Sequence, residues 1–218
     1  MRIDPEHLAY WYLRLNGFLT IPNFVVHPDT GRDQRTDVDL LGVRFPYRAE
    51  LAPNTMRDGT VFTRVTDRAF IILAEVKQGR CALNGPWANP GQENLQRVLR
   101  SVGTHPAAEL ESVARALYTH GHFQDAQFYV SLACFGAYTA NDLTNRYPDV
   151  PQILWSHVLS FIWERFNTYS VQKVSHGQWD QPGKDLWDEA QNSRDAAAFN
   201  DRVEIAADAV GAIRYRAP

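Results

Sequence analysis

Glu75-Val76-Lys77 closes a run of apolar residues, Phe70-Ile71-Ile72-Leu73-Ala74. Side chains alternate across a strand, so Glu75 and Lys77 share one face while Val76 points to the other. Placing a carboxylate and an ammonium beyond five apolar residues is costly unless something uses them. The bland alternative is that the two neutralise each other. A second pair, Asp37-Val38-Asp39, alternates in the same way and runs into Leu40-Leu41. A carboxylate from that segment and Glu75 could converge on one divalent cation. Mg²⁺ or Mn²⁺ is the fitting ion, since Mg²⁺ takes oxygen ligands and keeps several waters, so two carboxylates and one carbonyl suffice. The carbonyl of Val76 lies between Glu75 and Lys77 and could supply that third ligand. A metal there would lower the pKa of a water and stabilise charge on a scissile phosphate. Lys77 beside that water would favour hydroxide and the developing negative charge.

These residues need strands to carry them, and the surrounding sequence predicts strands. Asp4-Pro5-Glu6 opens a helix, with Asp as cap and Pro at the first position, and Asn16-Gly17 ends it. Residues 18–27 read as a strand with an edge or bulge at Pro22. Residues 36–45 form the next strand, and 46–67 read as an irregular insertion or wide hairpin. The segment 68–78 reads as a central strand buried on both faces. Helices are expected over 92–102 and 106–120, a strand over 126–135 and a long helix over 151–174. A loop is expected around Asp180-Gln181-Pro182-Gly183, and a last helix over 194–213. The order α-β-β-β-α-α-β-α predicts an α/β fold: a central mixed sheet flanked by helices, with a C-terminal helical extension.

A carboxylate-bearing strand followed by Glu-x-Lys on the next, after a helix bearing Glu, resembles the PD-(D/E)XK nuclease superfamily. TDVDLL, ILAEVK, Gly79, Trp87, Asn89-Pro90 and a Gln-bearing helix look most like its Holliday-junction-resolvase-like and nuclease-related-domain branches. The resemblance implies a restriction-endonuclease-like core, hydrolysis of phosphodiester bonds with Mg²⁺ or Mn²⁺, and DNA as the nucleic-acid partner. It implies catalytic roles for Asp39, Glu75 and Lys77, help to the metal from Glu6 through water, and support from Gln92 or Gln96. Val38 stands where the family motif has proline. Asp37 competes with Asp39 as ligand, and the apolar run directly after Asp39 favours the latter. Nothing after about residue 105 matches a motif of the family. The nuclease core is accordingly expected over 1–135. Residues 136–218 are expected to form a helical region packed on it that could offer a homodimer interface, with Trp155 and Trp163 as core or interface residues.

Net charge is −3, yet it is unevenly spread: residues 1–104 carry 13 Lys+Arg against 11 Asp+Glu, and residues 105–218 carry 9 against 14. This split permits a phosphate-binding face on the first half without demanding one. No run of about 18 apolar residues occurs, so a soluble, cytoplasmic protein without membrane contact is expected. Cys81 and Cys134 are too far apart for a zinc knuckle and are expected to be reduced. No G-x-x-x-x-G-K-[ST] or G-x-S-x-G motif is present. His105, His120 and His122 lack metal spacing. Each secondary residue has a plain structural explanation: helix-dipole stabilisation for Glu6, a solvated helix face for Gln92 and Gln96, burial for Trp87. A non-catalytic nucleic-acid-binding or assembly module on the same fold is the rival expectation, motivated by the overall acidity.

Overall fold

The computed structural model describes residues 1–27, 36–49, 56–174 and 179–206. In chain order the elements are β1 (Arg2–Ile3), α1 (Pro5–Leu15), β2 (Leu19–Val26), β3 (Thr36–Arg44), α2 (Thr60–Thr63), β4 (Ala69–Val76), α3 (Gly85–Ala88), a 3-10 turn (Pro90–Gln92), α4 (Asn94–Val102), α5 (Leu110–His120), β5 (His122–Gln124), β6 (Phe128–Gly136), α6 (Asn141–Arg146), β7 (Gln152–Leu154), α7 (Trp155–Thr168), α8 (Ser170–Lys173), α9 (Gln181–Gln191), α10 (Ala196–Arg202) and β8 (Glu204–Ile205). The protein is α/β, with a six-stranded mixed sheet in the order β2-β3-β4-β6-β5. β2, β3 and β4 are antiparallel neighbours, and β4 runs parallel to β6. The far edge of β6 is shared: β5 pairs with its first half, and β7 with Cys134–Gly136.

The sheet is covered on both faces, as the sequence of β4 requires. Phe70, Ile72, Ala74 and Val76 pack into one apolar cluster with α1, α7, α9 and α10. Ile71 and Leu73 pack into the other with α4 and α5. An unbroken apolar strand is stable only where both of its faces are removed from water.

The first helix begins as its sequence dictates. Asp4 accepts hydrogen bonds from the N–H groups of Glu6 (2.8 Å) and His7 (3.3 Å), and Gly17 closes the helix at φ +83°. The same signal recurs at Asp180, where a loop was expected. Asp180 accepts from the N–H of Gly183 (2.8 Å), and Pro182 sits within the first turn of α9. Gly183 lies against Trp11 so closely that a Cβ there would stand 1.8 Å from a ring carbon. Gly183→Ala is thus expected to cost about 1–3 kcal/mol in urea unfolding, through overpacking of the Trp11–Trp179–Phe166 cluster.

Other expected boundaries also move. Residues 152–154 are a strand rather than the start of the long helix, because pairing with β6 takes up their backbone groups; α7 begins only at Trp155. Helix α5 begins at Leu110, since Pro106–Glu109 form a turn. The helix expected from residue 194 starts at Ala196, capped by Asp195, and ends at Arg202. Glu204–Ile205 then pair in parallel with Arg2–Ile3, joining the two ends of the described chain. Residues 207–213 of that expected helix, and 50–55 of the expected insertion, lie outside the described residues.

The described part of the insertion holds a buried polar hub. The Asp58 carboxylate receives Arg44 (2.7 Å), Arg48 (2.7 Å) and Arg165 (2.8 Å). Asn16 joins it, accepting the N–H of Gly59 (2.7 Å) on its side chain and Arg44 Nε (3.0 Å) on its carbonyl. The hub ties the end of α1, the end of β3 and the last turn of α7 to residues 57–59.

Candidate active site

Leu40 of β3 pairs with Ala74 of β4. One step further along both strands sets Asp39 beside Glu75. Both are buried, at 6% and 2% exposure. The Asp39 carboxylate crosses to accept the N–H of Val76 (2.8 Å), so it satisfies the backbone where the strand pairing ends. Strict alternation slips at this point: Val38 and Leu41, three positions apart, both belong to the apolar cluster beneath α4 and α5. The facing residue of β2, Asn23, adopts φ +50°, a left-handed conformation that asparagine tolerates. Asp37, expected to share a face with Asp39, is less buried. Asp39 is the one whose charge acts on both Glu75 and Lys77.

Glu75 is held on three sides. Its Oε1 accepts Lys77 Nζ (2.5 Å) and the amide of Asn84. Its Oε2 accepts the indole N–H of Trp87 (2.7 Å). Lys77 Nζ also donates to Asn84 Oδ1 (3.0 Å), which closes a small ring of charge-assisted bonds. The Lys77 side chain is 27% exposed and forms the boundary between this ring and solvent. Its backbone is fixed as well: the N–H donates to Phe135 O (3.0 Å), and the Trp155 indole donates to the carbonyls of Lys77 and Gln78 (3.1 Å each).

Burial, reinforced by the charge of Asp39, raises the Glu75 carboxyl to about 7, against the pull of Lys77 and Trp87. Burial alone would lower Lys77; the charge and hydrogen bond of Glu75, with the charge of Asp39, outweigh it and hold the ammonium above its ordinary range. The raised acid has a consequence for stability. A carboxyl that binds its proton more tightly when folded loses stability as pH rises from the ordinary carboxylate range to about 7. Glu75→Gln is therefore expected to exceed the wild type in stability at about pH 8, by ~2–3 kcal/mol, and to match it near pH 4. Urea unfolding at the two pH values checks this.

The secondary candidates are placed as follows. Glu6 lies in the first turn of α1 and borders a hollow of about 270 Å³ with Thr20, Asn23 and Asp180. Gln92 is exposed in the 3-10 turn, and its Oε1 accepts Asn94 Nδ2 (3.1 Å). Gln92 and Gln96 do not share a helix face as expected, because Glu93 at φ +55° separates the turn from α4. Trp87 is buried, as its plain reading had it, yet its indole serves Glu75. Replacing that indole, Trp87→Phe, is expected to raise the Glu75 carboxyl further and cost about 1–3 kcal/mol, seen by carbonyl NMR titration and urea unfolding. Asn84, Trp87 and Trp155 are the positioning residues that sequence reasoning missed. Asn84 and Trp87 lie in a segment readable only as loop, and no pattern ties them to Glu75. His105, set aside for want of metal spacing, has an acidic neighbour in Asp125 (2.9 Å), which also accepts from the backbone at the start of β6. That is the opposite end of the sheet from Glu75.

Among the described residues no three His, Cys, Asp or Glu side chains are grouped to hold a metal ion. The oxygen donors brought together are the carboxylates of Asp39 and Glu75 beside the Val76 peptide. They fit a hard cation in kind: two buried carboxylates repel one another, and a divalent ion would relieve that repulsion. A carboxylate has about four acceptor positions, and Glu75 uses three, so one remains for a metal.

Comparison with known proteins finds no relative. No family model, no curated protein and no solved structure matches this chain. No helix among the described residues is long and apolar enough to cross a membrane.

Proposed function

We propose that this protein is a metal-dependent nuclease with a restriction-endonuclease-like core of the PD-(D/E)XK type. The observation that supports it is the juxtaposition of buried Asp39 and Glu75, with Lys77 Nζ held on Glu75 at the solvent boundary. Asp39, Glu75 and the Val76 carbonyl would hold Mg²⁺ or Mn²⁺. Such an ion supplies Lewis acidity toward a phosphate oxygen and lowers the pKa of a bound water. Lys77, kept cationic by its neighbours, would bind a non-bridging phosphate oxygen and stabilise the charge that grows there. Asn84 and Trp87 orient Glu75, and Trp155 fixes the backbone that carries Lys77. DNA is the substrate by resemblance to the family; RNA presents the same phosphate, and the residues named act on phosphate alone. Cleavage assays on supercoiled, single-stranded and branched DNA with Mn²⁺ test the proposal. The wild type should cut, and Glu75→Ala should not; a wild type that cuts none of them, or an equally active variant, refutes it.

One observation favours a second reading, a non-catalytic nucleic-acid-binding or assembly module. Lys77, Asn84 and Trp87 already satisfy Glu75, as a purely structural ion pair requires. The cleavage assay separates the two.

A further inference from the structure

The segment that brings Trp87 to Glu75 continues through the 3-10 turn into α4, where it borders a second concavity. This open cleft between α4 and α5 has a volume of about 620 Å³, within the range of small-ligand pockets. Its floor includes Tyr118, whose hydroxyl is fixed by the N–H of Leu95 (3.1 Å). Glu93, Gln96 and Arg100 line it from the α4 side, and Glu111 and Arg115 from α5. Arg115 donates to Glu111 (2.5 Å) one turn away.

The mixture of groups defines the ligand. Two guanidiniums alone would suit a phosphate, but two carboxylates in the same cleft would repel one. A nucleobase edge presents acceptors and donors a few ångströms apart. Arginine matches acceptor edges such as guanine O6 and N7, a carboxylate matches N–H donors, and glutamine matches either. Guanidinium planes such as that of exposed Arg100 stack on an unstacked base while polar side chains read its edge. The geometry points to this cleft as a subsite for an unstacked nucleobase, guanine by preference, of a strand entering the candidate catalytic centre. The inference rests on the nuclease reading above and names the form of its substrate: single-stranded or frayed.

Metal-free calorimetric titration of the whole protein with guanosine 5′-monophosphate tests the cleft without any cleavage. Binding is expected to weaken about tenfold in Arg100→Ala, which alters an exposed side chain. Ribose 5-phosphate should bind at least about tenfold more weakly than the nucleotide. Absence of nucleotide binding, equal affinity in Arg100→Ala, or equal binding of ribose 5-phosphate overturns the subsite. Because no metal is present, a wild type that fails to cut DNA leaves this result standing, so the two failures are told apart.

Discussion

Lys77→Ala is expected to lower the rate of DNA cleavage by at least about 100-fold while leaving Mn²⁺ affinity at alkaline pH within a few-fold of wild type. The placement of the ammonium sets this effect. Lys77 Nζ sits on Glu75 and Asn84 with part of its side chain in solvent, so it faces whatever approaches the carboxylates. A preorganised cation directed at developing charge is worth roughly two to three powers of ten in rate. Its removal also takes away the neighbour that favours ionised Glu75, so the pH–rate profile of the residual activity should move to higher pH. Single-turnover cleavage across pH checks both parts. An unchanged rate would reduce Lys77 to a structural counter-ion.

The largest effect on stability is expected far from that site, at Asp58. Arg44 and Arg165 are almost wholly buried, and Asp58 is the carboxylate that receives both. Asp58→Ala leaves their charges in the interior, a change that costs about 3–5 kcal/mol for a broken buried pair. Arg165 retains the Arg57 carbonyl (3.2 Å) and the faces of Phe161 and Tyr169, and Arg44 retains the Asn16 carbonyl, which keeps the loss from being larger. Against a total stability of roughly 5–15 kcal/mol for a domain, the variant should be partly unfolded at about 37 °C. The midpoint of urea denaturation measures it. A shift worth less than about 1 kcal/mol would mean that water reaches the hub.

The parts of this fold legible in the sequence are those that local patterns determine. The apolar run of β4 marked a strand buried on both faces, and Asp4-Pro5 marked a helix start. Asp180-Gln181-Pro182 carries a similar signal, but the following glycine read as a turn; only its contact with Trp11 explains why glycine stands inside a helix. The three residues of β7 are too few to show a period, and pairing with β6 alone makes them a strand. The Asp58 hub joins residues more than 100 positions apart, beyond the reach of any local pattern.

The candidate site divides in the same way. Alternation set Glu75 and Lys77 on one face, where they pair, and the apolar residues after Asp39 favoured it over Asp37; Asp39 is the one that accepts the Val76 N–H. The slip of alternation around Asp39, with Asn23 at positive φ beside it, had no signature, because it arises between strands. Asn84 and Trp87 reach Glu75 from the start of the short helix α3, after a loop that folds back onto the strand end, a path that sequence spacing does not encode.

Calorimetric titration with Mn²⁺ between about pH 5.5 and 7.5 reads the proposed metal site itself. A metal must displace the proton that Glu75 holds up to about pH 7, so affinity should rise about 20-fold across that interval and then level off. Asp39→Asn keeps an oxygen for the Val76 N–H but loses the charge, and it should abolish binding. Wild type that takes up no Mn²⁺ at any pH, or Asp39→Asn that binds it as well as wild type, would contradict the metal site and with it the proposed chemistry.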